Sequence, residues 1–376
     1  MPVRIPVTTG RSDNHGMSQD PVPDDQTPHP GQLGVQEFAQ YARVIDARSP
    51  HEYEEDHIPG AINLPVVDDA EYAEVGTLHR TDPHAAYLIG SQYALRNIAR
   101  HVGEVIARHR PSDRLLVYCF RGGKRSRIWA ETLRTIGFRV DVLPGGWKNY
   151  RRWVRESLEQ LPARLRFQVI SGPTGCGKTR LLHALRDQGA QVLDLEGLAH
   201  HRGSLLGALP GDPQPSQKWF DSQLLDVLRR FDPARPVWVE AESKKIGNLQ
   251  LPQALHDAMH RTVPLQVLAP MAARVQLLKE DYPHYAADPL AMVARLQPLK
   301  PLVGGEELAR WQALAEQHRV DELFERVMVA HYDPCYARST RRHYAQDDGA
   351  PPFELEGLDA DSLAEAARTL MTRSER

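Results

Sequence analysis

Two loops in this 376-residue chain carry residues able to do chemistry on anionic groups. In the first, an apolar run over 115–118 ends at Cys119, and the glycine-rich basic stretch Phe120-Arg121-Gly122-Gly123-Lys124-Arg125-Ser126 follows. Residues 127–138 then have the composition of a helix. A thiol at a helix N-terminus, near unpaired amides and three cations, is biased toward the nucleophilic thiolate. Cys119 is therefore a candidate nucleophile or sulfur-group carrier, and Arg121, Gly122, Gly123, Lys124 and Arg125 form the cradle for its anionic donor. In the second loop, Gly172-Pro173-Thr174-Gly175-Cys176-Gly177-Lys178-Thr179 fits G-x-x-x-x-G-K-[ST]. A strand-like run over 165–170 precedes it and a helical stretch over 180–188 follows. That context lets amides around Gly172, Gly175 and Gly177 close on phosphate oxygens while Lys178 adds charge; the Thr179 hydroxyl would reach Mg²⁺ if a metal is used.

Neither loop settles its ligand by itself. Cys119-x-x-Gly122-x-x-Arg125-Ser126 also fits the C-x-x-G-x-x-R-[ST] loop of cysteine phosphatases, but no nearby segment announces the general acid such an enzyme needs for its leaving group. The second cradle recognises phosphate oxygens and does not inspect what they are attached to, so a prenyl diphosphate fits as well as a nucleotide. Strands over 191–195 and 237–240 deliver Asp194, Glu196, Glu240 and Glu242 as acid, base or Mg²⁺-shell candidates. Enzymes that hydrolyse nucleotides usually have aspartate in the second of these positions. His200, His201 and His331 have no metal-ligand spacing. Lys148, Arg151, Arg152 and Arg155, interleaved with Trp147, Tyr150 and Trp153, are candidate contacts for RNA phosphates.

The elements that must hold these residues divide the chain in two. A length of 376 residues is long for one core, and 41% hydrophobic with 25% charged residues is ordinary globular composition. A formal net charge of −3 supplies no general attraction to nucleic acid, so any such binding must come from local basic patches. Cys119, Cys176 and Cys335 are too dispersed for a disulfide framework or a zinc site, and the latter two read as structural. No apolar run reaches membrane-span length and no signal-peptide pattern opens the chain, so a cytoplasmic protein without membrane contact is expected. Strand and helix patterns alternate on both sides of residue 160, which predicts α/β architecture with parallel sheets, and Cys119 falls at the carboxyl end of a strand, where such sheets bind ligands.

The segment from Asp46 through Arg48, Glu52 and Tyr53 to His57-Ile58-Pro59-Gly60-Ala61-Ile62-Asn63-Leu64-Pro65 resembles the opening motif of rhodanese domains, and Leu143-Pro144-Gly145-Gly146-Trp147 their closing glycine-aromatic turn. That resemblance decides against the phosphatase. The second loop adds Asp194 to Ser204, Gln214-Pro215-Ser216-Gln217-Lys218, Glu240 to Gly247 and His331-Tyr332-Asp333-Pro334. Together these look like the tRNA 2-selenouridine synthase family. The stretch over 1–33, rich in Pro, Asp, Thr, Ser and Gly, reads as a disordered tail and 346–376 as a helical C-terminal tail; the resemblance, which lies between them, implies a rhodanese-like domain over 34–155 and a P-loop NTPase-like domain over 156–345. It implies replacement of sulfur by selenium in wobble 2-thiouridine of tRNA, through an S-geranyl intermediate. Selenophosphate, which a partner enzyme would supply, and geranyl diphosphate would be the co-substrates. Two other readings stay open: a sulfurtransferase joined to a nucleotide-dependent kinase or ATPase, and a noncatalytic RNA-binding regulator.

Overall fold

A computed structural model describes residues 27–343 and 351–374. The first sheet is wholly parallel, with β1 (Arg43–Asp46), β2 (Ile62–Asn63), β3 (Arg114–Tyr118) and β4 (Arg139–Val142) in the order β2-β1-β3-β4. Leu115, Leu116, Val117 and Tyr118 are all fully buried. A central parallel strand has both faces covered, which is why these residues read as a continuous apolar run rather than an alternating one. Around this sheet lie α1 (Pro50–Glu55), α2 (Asp69–Thr81), α3 (Pro83–Glu104) and α4 (Lys124–Ile136). Sharp caps set the ends: Asp68 and Glu71 form a capping box on α2, and Gly137, at φ 111°, stops α4.

Helix α5 (Gly146–Gln160) leads into the second sheet. That sheet contains β5 (Arg166–Ser171), β6 (Gln191–Leu193), β7 (Pro236–Glu240), β10 (Leu265–Leu268) and β11 (Phe353–Glu354), all parallel, in the order β11-β10-β5-β7-β6. The connections are α6 (Lys178–Asp187), α7 (Leu195–Ala199), α8 (Gln217–Leu228), the antiparallel hairpin of β8 (Lys245–Ile246) with β9 (Leu249–Gln250), and α9 (Gln253–His260). Beyond β10 a helical block follows: α10 (Met271–Asp281), α11 (Pro283–Ala287), α12 (Pro289–Leu296), α13 (Lys300–Val303), α14 (Gly305–Glu316), α15 (Val320–Val327), a π-helical turn at Met328–Tyr332, and α16 (Asp333–His343).

The two sheets share one core. Trp147, Tyr150, Trp153, Val154 and Leu158 of α5 lie in a single cluster with Leu116 of the first sheet and Val169 and Val239 of the second. Polar groups reinforce the seam. Asp56, fully buried, accepts from Trp147 Nε1 at 2.8 Å and from Ser222 Oγ at 2.7 Å, and burial pushes its carboxyl up to about 6. Lys218 pairs with Glu55 at 2.5 Å, Arg229 with Glu37 at 2.8 Å, and His57 stacks between Tyr53 and Trp219.

Both ends of the described chain depart from expectation. Of the helical tail expected over 346–376, residues 351–374 are described, and they are packed onto the second domain: β11 pairs with β10, placing Phe353 opposite Val267, and α17 (Ala360–Ser374) packs on α6. Leu363, Ala366, Ala367 and Leu370 recur at helical spacing and are buried, so this segment completes the second domain's core. At the other end Pro30–Leu33 forms a short turn with Leu33 buried, and Gln32 Oε1 accepts from Trp153 Nε1 at 2.7 Å, so order begins before residue 34. The disorder expected over 1–26 lies outside the described residues.

Candidate functional site

Cys119 follows the last residue of β3 and is 3% exposed. Its Sγ lies 3.2 Å from Ser126 Oγ, and that hydroxyl also donates to Gly123 O at 3.1 Å. The loop turns at Gly122, φ 67°, and α4 starts after Gly123 with no side-chain cap on its first amides. The glycine-aromatic turn fixes this loop from beneath. Trp147 N–H donates to Cys119 O at 2.8 Å and Lys148 N–H to Phe120 O at 2.9 Å. A Cβ on Gly146, φ 58°, would sit 2.1 Å from Cys119 O, so only glycine permits the approach.

The cations expected around the thiol are present but differently employed. Arg125 is held by Glu52, Nη1 to Oε2 at 2.5 Å and Nη2 to Oε1 at 3.2 Å. Lys124 Nζ lies 3.3 Å from the Tyr87 ring centroid, and the Arg121 guanidinium 5.5 Å from that of Phe120. Glu52 and Ser126 were missed as site residues. Glu52 stands 73 residues from its partner in sequence. The Ser126 contact was hidden because one turn of loop separates it from the thiol.

The second loop leaves β5 at Gly172 and enters α6 at Lys178. A Cβ on Gly172 would lie 2.4 Å from Val267 O. Gly175 and Gly177 have φ of 77° and 78°, a left-handed conformation that glycine adopts without strain. Lys178 Nζ folds back to Gly172 O at 3.2 Å. Burial works against its charge, but Cys176 and the carboxylates of Glu240 and Glu196 hold its pKa above the ordinary lysine value. Arg274 donates to Thr174 O at 2.9 Å and pairs with Asp333 at 2.6 Å; Tyr336 Oη accepts from Gly172 N–H. These props come from the sequence feature His331 to Pro334 and its neighbours, whose purpose was not visible in the chain. His331 instead lies near Cys335, Nδ1 to Sγ 3.7 Å.

Glu196, Glu240 and Glu242 converge on Lys178 and Thr179, with one carboxylate oxygen of each within 4.8 Å of the others. Thr179 Oγ1 is 3.5 Å from Glu196 Oε2. Glu240 is 4% exposed and its Oε1 has no hydrogen-bond partner. Burial, then mutual repulsion, raises the pKa of Glu196 well above the ordinary range and pushes Glu242 up to about 8. A buried orphan oxygen facing two further carboxylates and a hydroxyl is an all-oxygen donor set that fits a hard divalent cation such as Mg²⁺. Asp194 stands apart: it accepts from Gly197 N at 2.7 Å as the cap of α7 and from His183 Nε2 at 2.8 Å. These groups border a cavity of about 440 Å³ that also takes in Arg180, Arg202 and Tyr282.

The basic stretch splits. Arg151 is buried and donates to Lys218 O, Ser222 Oγ and Asp221, which removes it from any RNA surface. It sits within the apolar stripe of α5, four residues after Trp147 and three before Val154. Lys148, Arg152 and Arg155 are exposed at helical spacing on the opposite face. Among the described residues no helix is long and apolar enough to cross a membrane.

A parallel sheet with a cysteine loop, joined to a parallel sheet with a phosphate loop, defines a rhodanese domain fused to a P-loop domain. A rhodanese-like domain model matches residues 34–152, and a model described as the tRNA 2-selenouridine synthase AAA domain matches 165–297. A tRNA 2-selenouridine synthase of Nitrosomonas europaea is 35% identical over 282 residues, 72% of this chain and 71% of the relative. One of Hydrogenovibrio crunogenus is 30% identical over 346 residues, 83% of this chain and 92% of the relative. The chain belongs to the tRNA 2-selenouridine synthase family.

Proposed function

We propose that this chain, acting in the cytoplasm, replaces the sulfur of 2-thiouridine at the tRNA wobble position with selenium, in two steps at two sites. In the first, the thiouridine sulfur attacks C1 of geranyl diphosphate: an S–C bond forms, the C–O bond breaks, diphosphate leaves, and the N3 proton of the base is released to water, which leaves a neutral thioether. The leaving charge grows in the transition state, and donors already aimed at it lower the barrier. Lys178, Thr179 and the amides around Gly172, Gly175 and Gly177 are the groups for that task. Mg²⁺ on Thr179, Glu196, Glu240 and Glu242 would draw off part of the diphosphate charge when bound.

Alkylation makes the sulfur a better leaving group and the ring carbon more electrophilic. In the second step a C–Se bond forms at that carbon, the C–S bond breaks, and geranylthiolate leaves; water takes the phosphoryl group when the P–Se bond of selenophosphate is cleaved. Cys119 steers the selenium, which stays at the selenide level throughout and forms no S–Se bond. Arg121, Gly122, Gly123 and Lys124 hold the anionic donor, while Arg125, engaged by Glu52, sets the shape of the loop. Lys148, Arg152 and Arg155 are offered to the tRNA backbone.

The observation that carries this reading is the pairing, within one member of this family, of a thiol loop and a lysine loop, each built for an oxyanion. The test uses 2-thiouridine tRNA with geranyl diphosphate and selenophosphate, followed by nucleoside mass spectrometry. Cys119→Ser should accumulate S-geranyl-2-thiouridine and make no selenouridine. Loss of both products in that variant would end the division of labour.

A further inference from the structure

The rhodanese-like domain contains a further cavity, of about 640 Å³, to which the two steps above assign no role. It opens between α2, α3 and α4, and its walls are Val66, Val67, Val75, Ala86, Ala94 and Ile128. This size falls within the range of about 300–1,000 Å³ usual for small-molecule sites. The contrast with the phosphate-loop cavity is chemical: there Lys178, Arg180, Asp194, Glu196 and Glu240 line the space, whereas here Lys124, Arg125, Arg127 and Glu131 all come from α4 and the remaining wall is largely hydrocarbon. Tyr72 and Tyr87, each 47% exposed, stand under the Arg125 and Lys124 cations.

Two links tie the cavity to Cys119. Val66, Val67 and Ala94 pack in the same buried cluster as the cysteine. Lys124 and Arg125 belong at once to the Cys119 loop and to the cavity lining. A ligand reaching from the thiol into this space presents a polar or anionic group at the basic loop and an uncharged chain to the aliphatic walls.

We propose that this cavity seats the geranyl chain of the S-alkylated uridine while its C–S bond is broken beside Cys119. The proposal rests on the S-geranyl reading and adds a place for the chain. The thioether is neutral, so the chain enters without the diphosphate it carried at the other site. As the C–Se bond forms, sulfur departs with the C–S bonding pair as geranylthiolate and takes a proton from water. The chain, still in apolar surroundings, positions the base before the step and leaves as the thiol after it.

Gly76 on α2 lines the cavity, and a Cβ there would meet nothing within 4 Å. Gly76→Leu, whose Cβ has open space, should narrow the cavity, and Gly76→Ala serves as the control for the change in helix propensity. The assay supplies selenophosphate and anticodon-stem RNA bearing either S-geranyl- or S-dimethylallyl-2-thiouridine, and reads kcat/KM for selenouridine formation by the full chain. The wild-type protein should favour the ten-carbon over the five-carbon group by tenfold or more. Gly76→Leu should erase most of that preference and Gly76→Ala should keep it. Equal use of both chains by the wild type, or a Gly76→Leu variant that retains the preference or loses both activities in equal proportion, overturns the cavity assignment. No selenouridine from either alkylated RNA by the wild type overturns the S-geranyl reading itself.

Discussion

The Cys119 and Lys178 loops are built to one plan and charged in opposite ways. Each leaves the carboxyl end of a parallel strand, turns through left-handed glycines and enters a helix whose first amides carry no side-chain cap. At the first, Glu52 is the carboxylate bound to one of the loop's cations, Arg125. At the second, three carboxylates crowd a lysine and a hydroxyl. On the proposed reading the shared backbone offers both loops to oxyanions, and the side chains decide what else must be present. The thiol loop keeps an excess of positive charge, Arg121, Lys124 and Arg125 against Glu52, whereas the lysine loop is overloaded with negative charge until a cation or proton joins it.

The largest effect that sharpens this contrast is expected from Lys178→Ala. It should lower geranyl transfer by about 10²–10³-fold, the usual cost of removing one transition-state donor, while selenation of pre-geranylated RNA continues. Equal losses in the two assays would break the comparison.

Metal and pH come next. Glu242 binds its proton more tightly in the folded chain, with a pKa of about 8 against an ordinary 4.5. Metal-free stability from this group is therefore full below about 4.5 and is lost as pH rises toward about 8. Asp56, raised to about 6, acts in the same direction over the lower part of that range. Mg²⁺ should restore stability increasingly as pH rises, by about 2.7 kcal/mol at a hundredfold excess over Kd. Calorimetry at several pH values checks this, and Glu242→Gln should flatten both the metal-free slope and the Mg²⁺ response.

At the thiol loop, Glu52→Gln should destabilise the protein by about 1.5–3 kcal/mol in chemical denaturation, through loss of a charged hydrogen-bonded partner of Arg125. It should leave the Mg²⁺ response untouched. The smallest effects belong to Lys148→Ala and Arg155→Ala. Each should weaken tRNA binding modestly and reduce the salt slope by about 1, with no change in melting temperature. Arg151→Ala should do the reverse, lowering stability through the buried Asp56 and the half-buried Asp221 it leaves behind.

Local order in the chain explains which features were legible in the sequence. Residues 115–126 and 166–179 carry strand, glycine turn and helix start in one unbroken stretch, so periodicity and motif sufficed. The buried position of Arg151 was within reach as well, since it falls on the stripe of Trp147, Val154 and Leu158. Contacts closed over long separations had no local signature. Tyr336 meets Gly172 across 164 residues, and Arg274 meets Asp333 across 59. The Gln214 to Lys218 feature was equally opaque: Gln214 ties Ala199 O to Ile246 O, and Ser216 reaches Glu55 O in the other domain. The edge strand at Phe353 is two residues long, too short for any pattern to show.

That edge strand and the helix after it also bear on how the molecule is made. The phosphate loop follows β5, which begins at Arg166, yet the helix packed on the back of α6 begins at Ala360. At about 5–20 residues per second, a ribosome needs on the order of 10–40 s to pass from one to the other. The thiol-bearing sheet has all four of its strands by residue 142. Over that time α6 waits for α17 to complete the cluster around Leu181 and Leu185, so the second domain's core is the last part of the molecule to close.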